Sequence, residues 1–104
     1  MSDPKIILVI GTYDTKDEEL AYVADRIRSQ GGEVLSMDVS VLGDPSVPCD
    51  ISKHDVAEAG GSSIEAAIAS EDENTAMQIM ARGAALLCTQ LHSAGRIDGM
   101  IALG

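Results

Sequence analysis

A short polar segment that follows an apolar run holds the residues best suited to chemistry. It is GTYDTK, residues 11–16. Its glycine would let a ligand approach the backbone closely, its threonine hydroxyls and its aspartate could orient a ligand or a metal-bound water, and its lysine would add a positive charge. These candidate ligand contacts are Gly11, Thr12, Asp14, Thr15 and Lys16.

The same segment has a simpler interpretation, as the junction between a strand and a helix. Thr15 would then cap the helix, Gly11 would serve the turn, and Lys16 would be solvated. The spacing of the segment matches neither the dinucleotide-binding glycine fingerprint nor the P-loop. Both interpretations stay open on the residues alone.

Two elements must position this segment. KIILVI, residues 5–10, is a short continuous apolar run, which predicts a strand buried on both faces. After it, apolar residues at helical spacing between Leu20 and Ile27 predict a helix. Thr15 and Glu18 form the T-x-x-E pattern of a capping box, and the glycine pair at 31–32 predicts the end of the helix.

The rest of the chain adds two strands and further helices. EVLSMDVSVL from Glu33 and RIDGMIALG near the end predict strands, and residues 72–94 predict the longest helix. The loop at 43–63 is too long for an idle connection, and we expect a helical turn within it. Right-handed crossovers then give a parallel sheet in the order 2-1-3, a three-layer Rossmann-like α/β fold.

Three strands make a thin domain, and the last long helix is apolar on more than one stripe. We therefore expect residues 1–104 to be one domain that is incomplete as given, a piece of a longer chain. More protein would complete it, either the remainder of the chain or a second subunit in a homo-oligomer.

Composition excludes several classes of function. The 104 residues carry a formal net charge of −10, and such a surface repels nucleic-acid backbones and anionic lipid. No apolar run is long enough for a membrane span, and the amino terminus lacks the pattern of a signal peptide. Two cysteines are too few for a disulfide scaffold, so we expect a cytoplasmic protein with reduced thiols.

The predicted strand order suggests that residues 11–16 bind a ligand. In the order 2-1-3 the first strand is the point where strand order reverses, and ligands of open parallel sheets bind beyond that carboxyl end. Asp38, which ends the second strand, is placed where a Rossmann-type domain holds a ribose hydroxyl. Aspartate also ends strands simply to form a turn, and that alternative stays open. Cys49, His54 and their acidic neighbours are a weak metal pattern, so we predict no metal site. The catalytic residues, if the protein is an enzyme, are unknown from the sequence.

Four blocks of the sequence resemble a known family: GTYDTKDEEL, MDVSVLGDPS, DISKHDVAEAGG and MARGAALLCTQLHSAGRIDGMIALG. It is the ATP-binding-domain family named for the tomato mosaic virus resistance protein. The resemblance implies an amino-terminal nucleotide-binding α/β domain with ATP, with or without Mg²⁺, as its cofactor. The family's DTK block maps onto Asp14, Thr15 and Lys16, and Gly104 would be the first residue of a glycine-rich loop.

The leading hypothesis is therefore an ATP-binding domain with the phosphates near residues 11–16. A non-catalytic assembly module that docks through its apolar last helix is the alternative. An enzyme acting on a small anionic substrate is a third hypothesis, for which the sequence names no reaction.

Overall fold

The computed structural model describes residues 4–103, and these form a small parallel sheet with helices. In chain order the elements are β1 (Ile6–Gly11), α1 (Asp17–Ser29), β2 (Glu33–Asp38), α2 (Lys53–Ala59), α3 (Ile64–Ala69), α4 (Glu73–Ser93) and β3 (Gly99–Leu103). The central strand β1 pairs in parallel with both neighbours, in the order β2-β1-β3. The predicted α/β fold and strand order are confirmed.

The apolar run of β1 is explained by its position between two layers. Leu8 and Ile10 point into the cluster formed with β2 and the helices α2 to α4. Val9, fully buried, points the other way. Gly11 shares that second face, where a Cβ would lie 2.7 Å from the Leu20 side chain of α1. Burial of each such aliphatic side chain contributes roughly 1.5–3 kcal/mol, so both layers hold β1.

Helix α1 lacks the predicted capping box of Thr15 and Glu18. Its N-cap is Lys16, whose side chain makes no capping bond. The amides of Thr15 and Lys16 both donate to the Thr12 carbonyl, at 3.1 and 2.9 Å. This turn precedes the helix, which therefore starts after Thr15. The predicted capping box is wrong because the turn at Thr12 forms in its place.

The other predicted helix boundaries are close to those observed. The loop at 43–63 contains α2, whose N-cap Ser52 forms a capping box with Asp55. Ser63 caps α3, and its hydroxyl accepts from the Ala66 amide at 3.0 Å. Gly31 and Gly95 follow α1 and α4 at positive φ, 87° and 72°, a conformation that glycine adopts at helix ends at little cost.

Helices α2 and α4 cross at a contact made by two glycines. A Cβ on Gly83 would overlap the Val56 carbonyl oxygen and lie 2.8 Å from its carbon. A Cβ on Gly60 would overlap the Ile79 carbonyl oxygen. Both obstacles are backbone atoms, so the two helices approach each other more closely than side chains would allow.

The two edges of the sheet differ. Beside β2, the Ser36 amide donates to Asp50 Oδ2 at 2.8 Å, and Ile51 exchanges backbone bonds with Ser36 and Asp38. No described residue pairs with the outer side of β3, whose Met100 is 51 % exposed.

Among residues 4–103, none of the helices has the length and apolar character needed to cross a bilayer.

Candidate functional site

The turn GTYDTK lies beyond the carboxyl end of β1, between the ends of its two neighbours. Gly11 is the last residue of β1 and lies opposite Asp38 of β2 and Leu103 of β3. The fold thus brings the predicted residues 11–16 and Asp38 to one edge of the sheet, at the point where strand order reverses. This is the location in which open parallel sheets bind ligands.

Gly11 is required by packing. Besides the Leu20 contact, its Cβ would lie 2.9 Å from the Leu103 carbonyl oxygen. That oxygen belongs to the backbone of β3 and cannot move without disturbing the sheet. The glycine therefore lets α1 and β3 pack closely against the end of β1. This packing explains Gly11 without any ligand.

Two hydroxyls of the turn lie side by side. Thr12 Oγ1 and Thr15 Oγ1 are 3.3 Å apart. Thr15 is exposed and Thr12 is half-buried. Because a hydroxyl both donates and accepts, the pair can present two polar contacts to a ligand above the strand end.

One carboxylate of the turn and one at the start of α1 hold the loop that follows β2. Asp14 Oδ2 accepts from the Gly43 amide at 3.2 Å, and Asp17 Oδ2 accepts from the Ser46 hydroxyl at 2.9 Å. Asp14 therefore anchors Gly43, and Asp17 anchors Ser46. Its predicted contact to a ligand stays a prediction.

Asp38 is buried, with 1 % of its surface exposed. Its Oδ1 accepts from the Ser40 hydroxyl at 2.6 Å, from the Ser40 amide at 3.0 Å and from the Tyr13 amide at 3.3 Å. Asp38 thus joins the end of β2 to the turn after β1. The ribose contact predicted for it would have to share this carboxylate with those donors.

Lys53 is a buried cation at the start of α2 that the sequence did not single out. Its ammonium donates to the Gly43 carbonyl at 2.7 Å and to the Val41 carbonyl at 3.4 Å, and pairs with Asp44 at 3.0 Å. It holds the same loop that Asp14 anchors. A lysine that follows a serine N-cap carries no local signal of burial, because its partners lie ten or twelve residues away.

The first turn of α1 is acidic. Asp17, Glu18 and Glu19 follow one another there, and Asp17 Oδ1 accepts from the Glu18 amide at 3.0 Å. These charges already complement the helix dipole and repel a phosphate placed on the helix axis. Lys16 is the one cation of the turn, and its ammonium forms no ion pair within residues 4–103.

Two weak acids near this edge are held in their neutral forms. Burial raises the pKa of the Tyr13 phenol to about 12, and the nearby Cys49 and Asp38 add to the shift. Burial also raises the pKa of the Cys49 thiol from 9.0 to about 11, helped by Asp38 and opposed by a hydrogen bond from Ser36. Cys49 is therefore a poor nucleophile near neutral pH.

These shifts predict a loss of stability in alkali. A raised pKa in the folded state favours the protonated thiol of Cys49, so its contribution is complete below pH 9 and is lost as the pH rises toward 11. The midpoint of thermal unfolding should fall over this range, and should fall less in Cys49→Ala. Equal declines in the two proteins would contradict the shift.

The residues of the weak metal pattern, Cys49, His54 and their acidic neighbours, do not form a cluster. Within the described chain, no three His, Cys, Asp or Glu side chains are grouped to hold a metal ion. Asp50 and Asp55 accept hydrogen bonds from Ser36 and Ser52 instead. Gly104, the remaining predicted contact, lies outside the described residues.

Comparison with known proteins gives a family without an assigned activity. Residues 5–104 match the model described as the N-terminal domain of an uncharacterised protein family, UPF0261. A UPF0261 protein of Brucella suis is 53 % identical over 94 % of this chain and 23 % of its own length. A UPF0261 protein of Clostridium tetani is 40 % identical over 96 % of this chain and 25 % of its own length.

A third relative, from Mesorhizobium japonicum, is 36 % identical over 96 % of this chain and 24 % of its own length. The chain thus spans about a quarter of the length of these relatives. No solved structure gives a significant match. The predicted resemblance to the tomato mosaic virus resistance family is wrong, because the matching family and these three relatives are UPF0261 proteins, and none of their names refers to virus resistance or ATP.

Proposed function

Because the chain belongs to the uncharacterised protein family UPF0261, whose name states no activity, we propose a function from its own geometry: a nucleotide-binding domain. One observation carries this proposal. The strand order β2-β1-β3 puts the turn after β1 at the switch point of an open parallel sheet, and nucleotides bind at that position in doubly wound folds. ATP, with or without Mg²⁺, is the ligand we propose.

The polar groups at this edge limit where the phosphates would lie. The acidic first turn of α1 disfavours a phosphate on the helix axis, so the hydroxyls of Thr12 and Thr15 and the ammonium of Lys16 are the contacts we propose. An overall charge of −10 opposes a bare polyanion. Binding should therefore be tighter for the Mg²⁺ complex of ATP than for ATP alone.

Lys16→Ala should weaken the binding of Mg²⁺–ATP by about tenfold or more, since a hydrogen bond to a charged group contributes about 1.5–3 kcal/mol. Isothermal titration of the longest natural product that contains this domain measures the effect. Lys5→Ala is the matched control, because Lys5 is exposed and lies just before β1, at the opposite end of that strand. Equal affinities of the two variants would refute the assignment of Lys16.

A second function, an assembly module that docks through α4, is favoured by one observation. A groove of about 720 Å³ runs between α2, α4 and the edge of β2, with Leu87 and Leu91 half-buried within it. Met77 and Leu86 are exposed on the same helix. They are nine positions apart and so lie on opposite sides of its axis, and of the two only Leu86 lines the groove. Light scattering distinguishes this function, because a monomer at every concentration argues against self-assembly.

We also propose the cytoplasm as the compartment, since Cys49 and Cys88 are free thiols in the structure. Reduced thiols are the usual state there. Fractionation of the source cells tests the assignment.

A further inference from the structure

The outer edge of β3 has no partner strand within the described chain. Met100 is 51 % exposed and Ile101 is 39 % exposed, whereas a strand of a parallel α/β sheet is normally covered on both faces. Met100 lies opposite Leu8 and so shares the face of α2 to α4. Ile101 lies opposite Val9, on the face of α1, beside a groove of about 540 Å³ lined by Ile7 and Tyr22.

The register shows which backbone groups of β3 face outward. Glu33 donates to the Lys5 carbonyl and Val39 to the Gly11 carbonyl, so odd-numbered residues of β1 turn their peptide groups toward β2. Leu8 and its even-numbered neighbours therefore turn theirs toward β3. In a parallel pair of strands, one residue directs its N–H and C=O groups toward the neighbouring strand. The residue opposite it then directs its own N–H and C=O groups to the other side, away from that pair.

Met100 and Ala102, opposite Leu8 and Ile10, thus present their N–H and C=O groups to the open edge. The same rule holds at β2, which provides a check. Ser36, opposite Val9, faces outward there and bonds to Asp50 and Ile51.

We propose that this edge takes a further parallel strand from the segment that follows the amino-terminal domain in UPF0261 chains. The matching family model is an N-terminal domain, and the relatives are about four times as long as the matched part. An unprotected strand edge is also a liability that folded proteins cover. The sheet order becomes 2-1-3-4, with the new strand bonded to Met100 and Ala102.

The connection to this strand has a defined side. The chain passes from β2 over α2, α3 and α4 to β3, and the next crossover continues in the same direction. Because such crossovers are right-handed, its helix lies on the face of α2 to α4 and covers Met100. Ile101 stays on the face of α1, so a different element would have to cover it.

Amide hydrogen exchange on the longest natural product tests the strand. The amides of Met100 and Ala102 should exchange within about tenfold of the rate for Ile101, whose amide faces β1. Exchange of Met100 and Ala102 about a hundredfold faster than Ile101 would overturn the proposal. Protection that disappears on dilution would also overturn it, since a second copy would then be the occupant. A gene that ends at codon 104 would also overturn the proposal, because no following segment would then exist to supply the strand.

Ala102→Pro supplies an independent measurement, because proline removes the outward N–H and leaves the bonds to β1 in place. It should lower the midpoint of thermal unfolding of the long product by several degrees. Ala102→Ser keeps the N–H and is the control, for which we expect a small change. Equal midpoints for the proline variant and the serine variant would contradict a paired edge.

Discussion

Gly83→Ala should destabilise the domain by about 3 kcal/mol, although it adds only one methyl group. In an exposed helix the same replacement would stabilise by about 1 kcal/mol, because alanine has the higher helix propensity. At Gly83 the new Cβ would overlap the Val56 carbonyl oxygen, and the Gly60 amide nitrogen would be 3.1 Å away. Neither can move unless α2 and α4 separate.

Urea denaturation followed by circular dichroism measures this loss, since the chain has no tryptophan for fluorescence. Gly99→Ala is the matched control. Its Cβ would meet the Ile7 side chain at 3.5 Å, an ordinary contact, so the change should be within about 0.5 kcal/mol. If Gly83→Ala is as stable as the parent, the two helices cross at a greater separation than these distances require.

Lys53→Met should cost about 2 kcal/mol of unfolding free energy. The substitution keeps the aliphatic volume of a side chain that is 9 % exposed, and removes the ammonium that donates to the carbonyls of Gly43 and Val41. A hydrogen bond to a charged group contributes about 1.5–3 kcal/mol, and a carbonyl left without its donor adds to the loss. The loop anchored by Asp14 should also loosen, with faster exchange of the Gly43 amide.

The ion pair of Lys53 with Asp44 contributes little by comparison. The Asp44 side chain is 86 % exposed, and exposed pairs are worth about 0–1 kcal/mol. Asp44→Asn should therefore change stability by less than about 0.5 kcal/mol. If the Asp44 variant loses as much as Lys53→Met, the carbonyl contacts are not what holds the lysine.

The order of the strands could be predicted because each element carried its own local signal. The apolar run of β1 and the glycines after α1 and α4 act within a few residues of the boundaries they mark. The start of α1 could not be placed by the same reasoning, because the T-x-x-E pattern competed with a turn that closes on the Thr12 carbonyl. The capping box and the turn would each satisfy backbone N–H groups at the start of the helix. The spacing of the residues in the sequence does not show which of the two forms.

The candidate site was predictable in location and less so in its contacts. Topology placed residues 11–16 at the edge of the sheet, and the structure puts them there. Gly43, the partner of Asp14, and Tyr13, one of the two partners of Asp38, lie 29 and 25 positions away, at separations that no local pattern encodes. Only the contacts of Asp38 with Ser40 are local. Lys53 was missed for the same reason, since its role depends on a loop that folds back over it.

The closed edge of β2 has a consequence for what the domain can form when β3 is bare. Residues 36–38 are already bonded by Asp50 and Ile51, so β3 offers the longer free edge in the described chain. Two copies that meet there by a two-fold axis use the same surface on both sides, and such an association closes on itself. A fibre needs a second, complementary edge to continue. The short segment at 50–51 therefore favours pairs over fibres, and exposed β3 edges should yield dimers before they yield polymers.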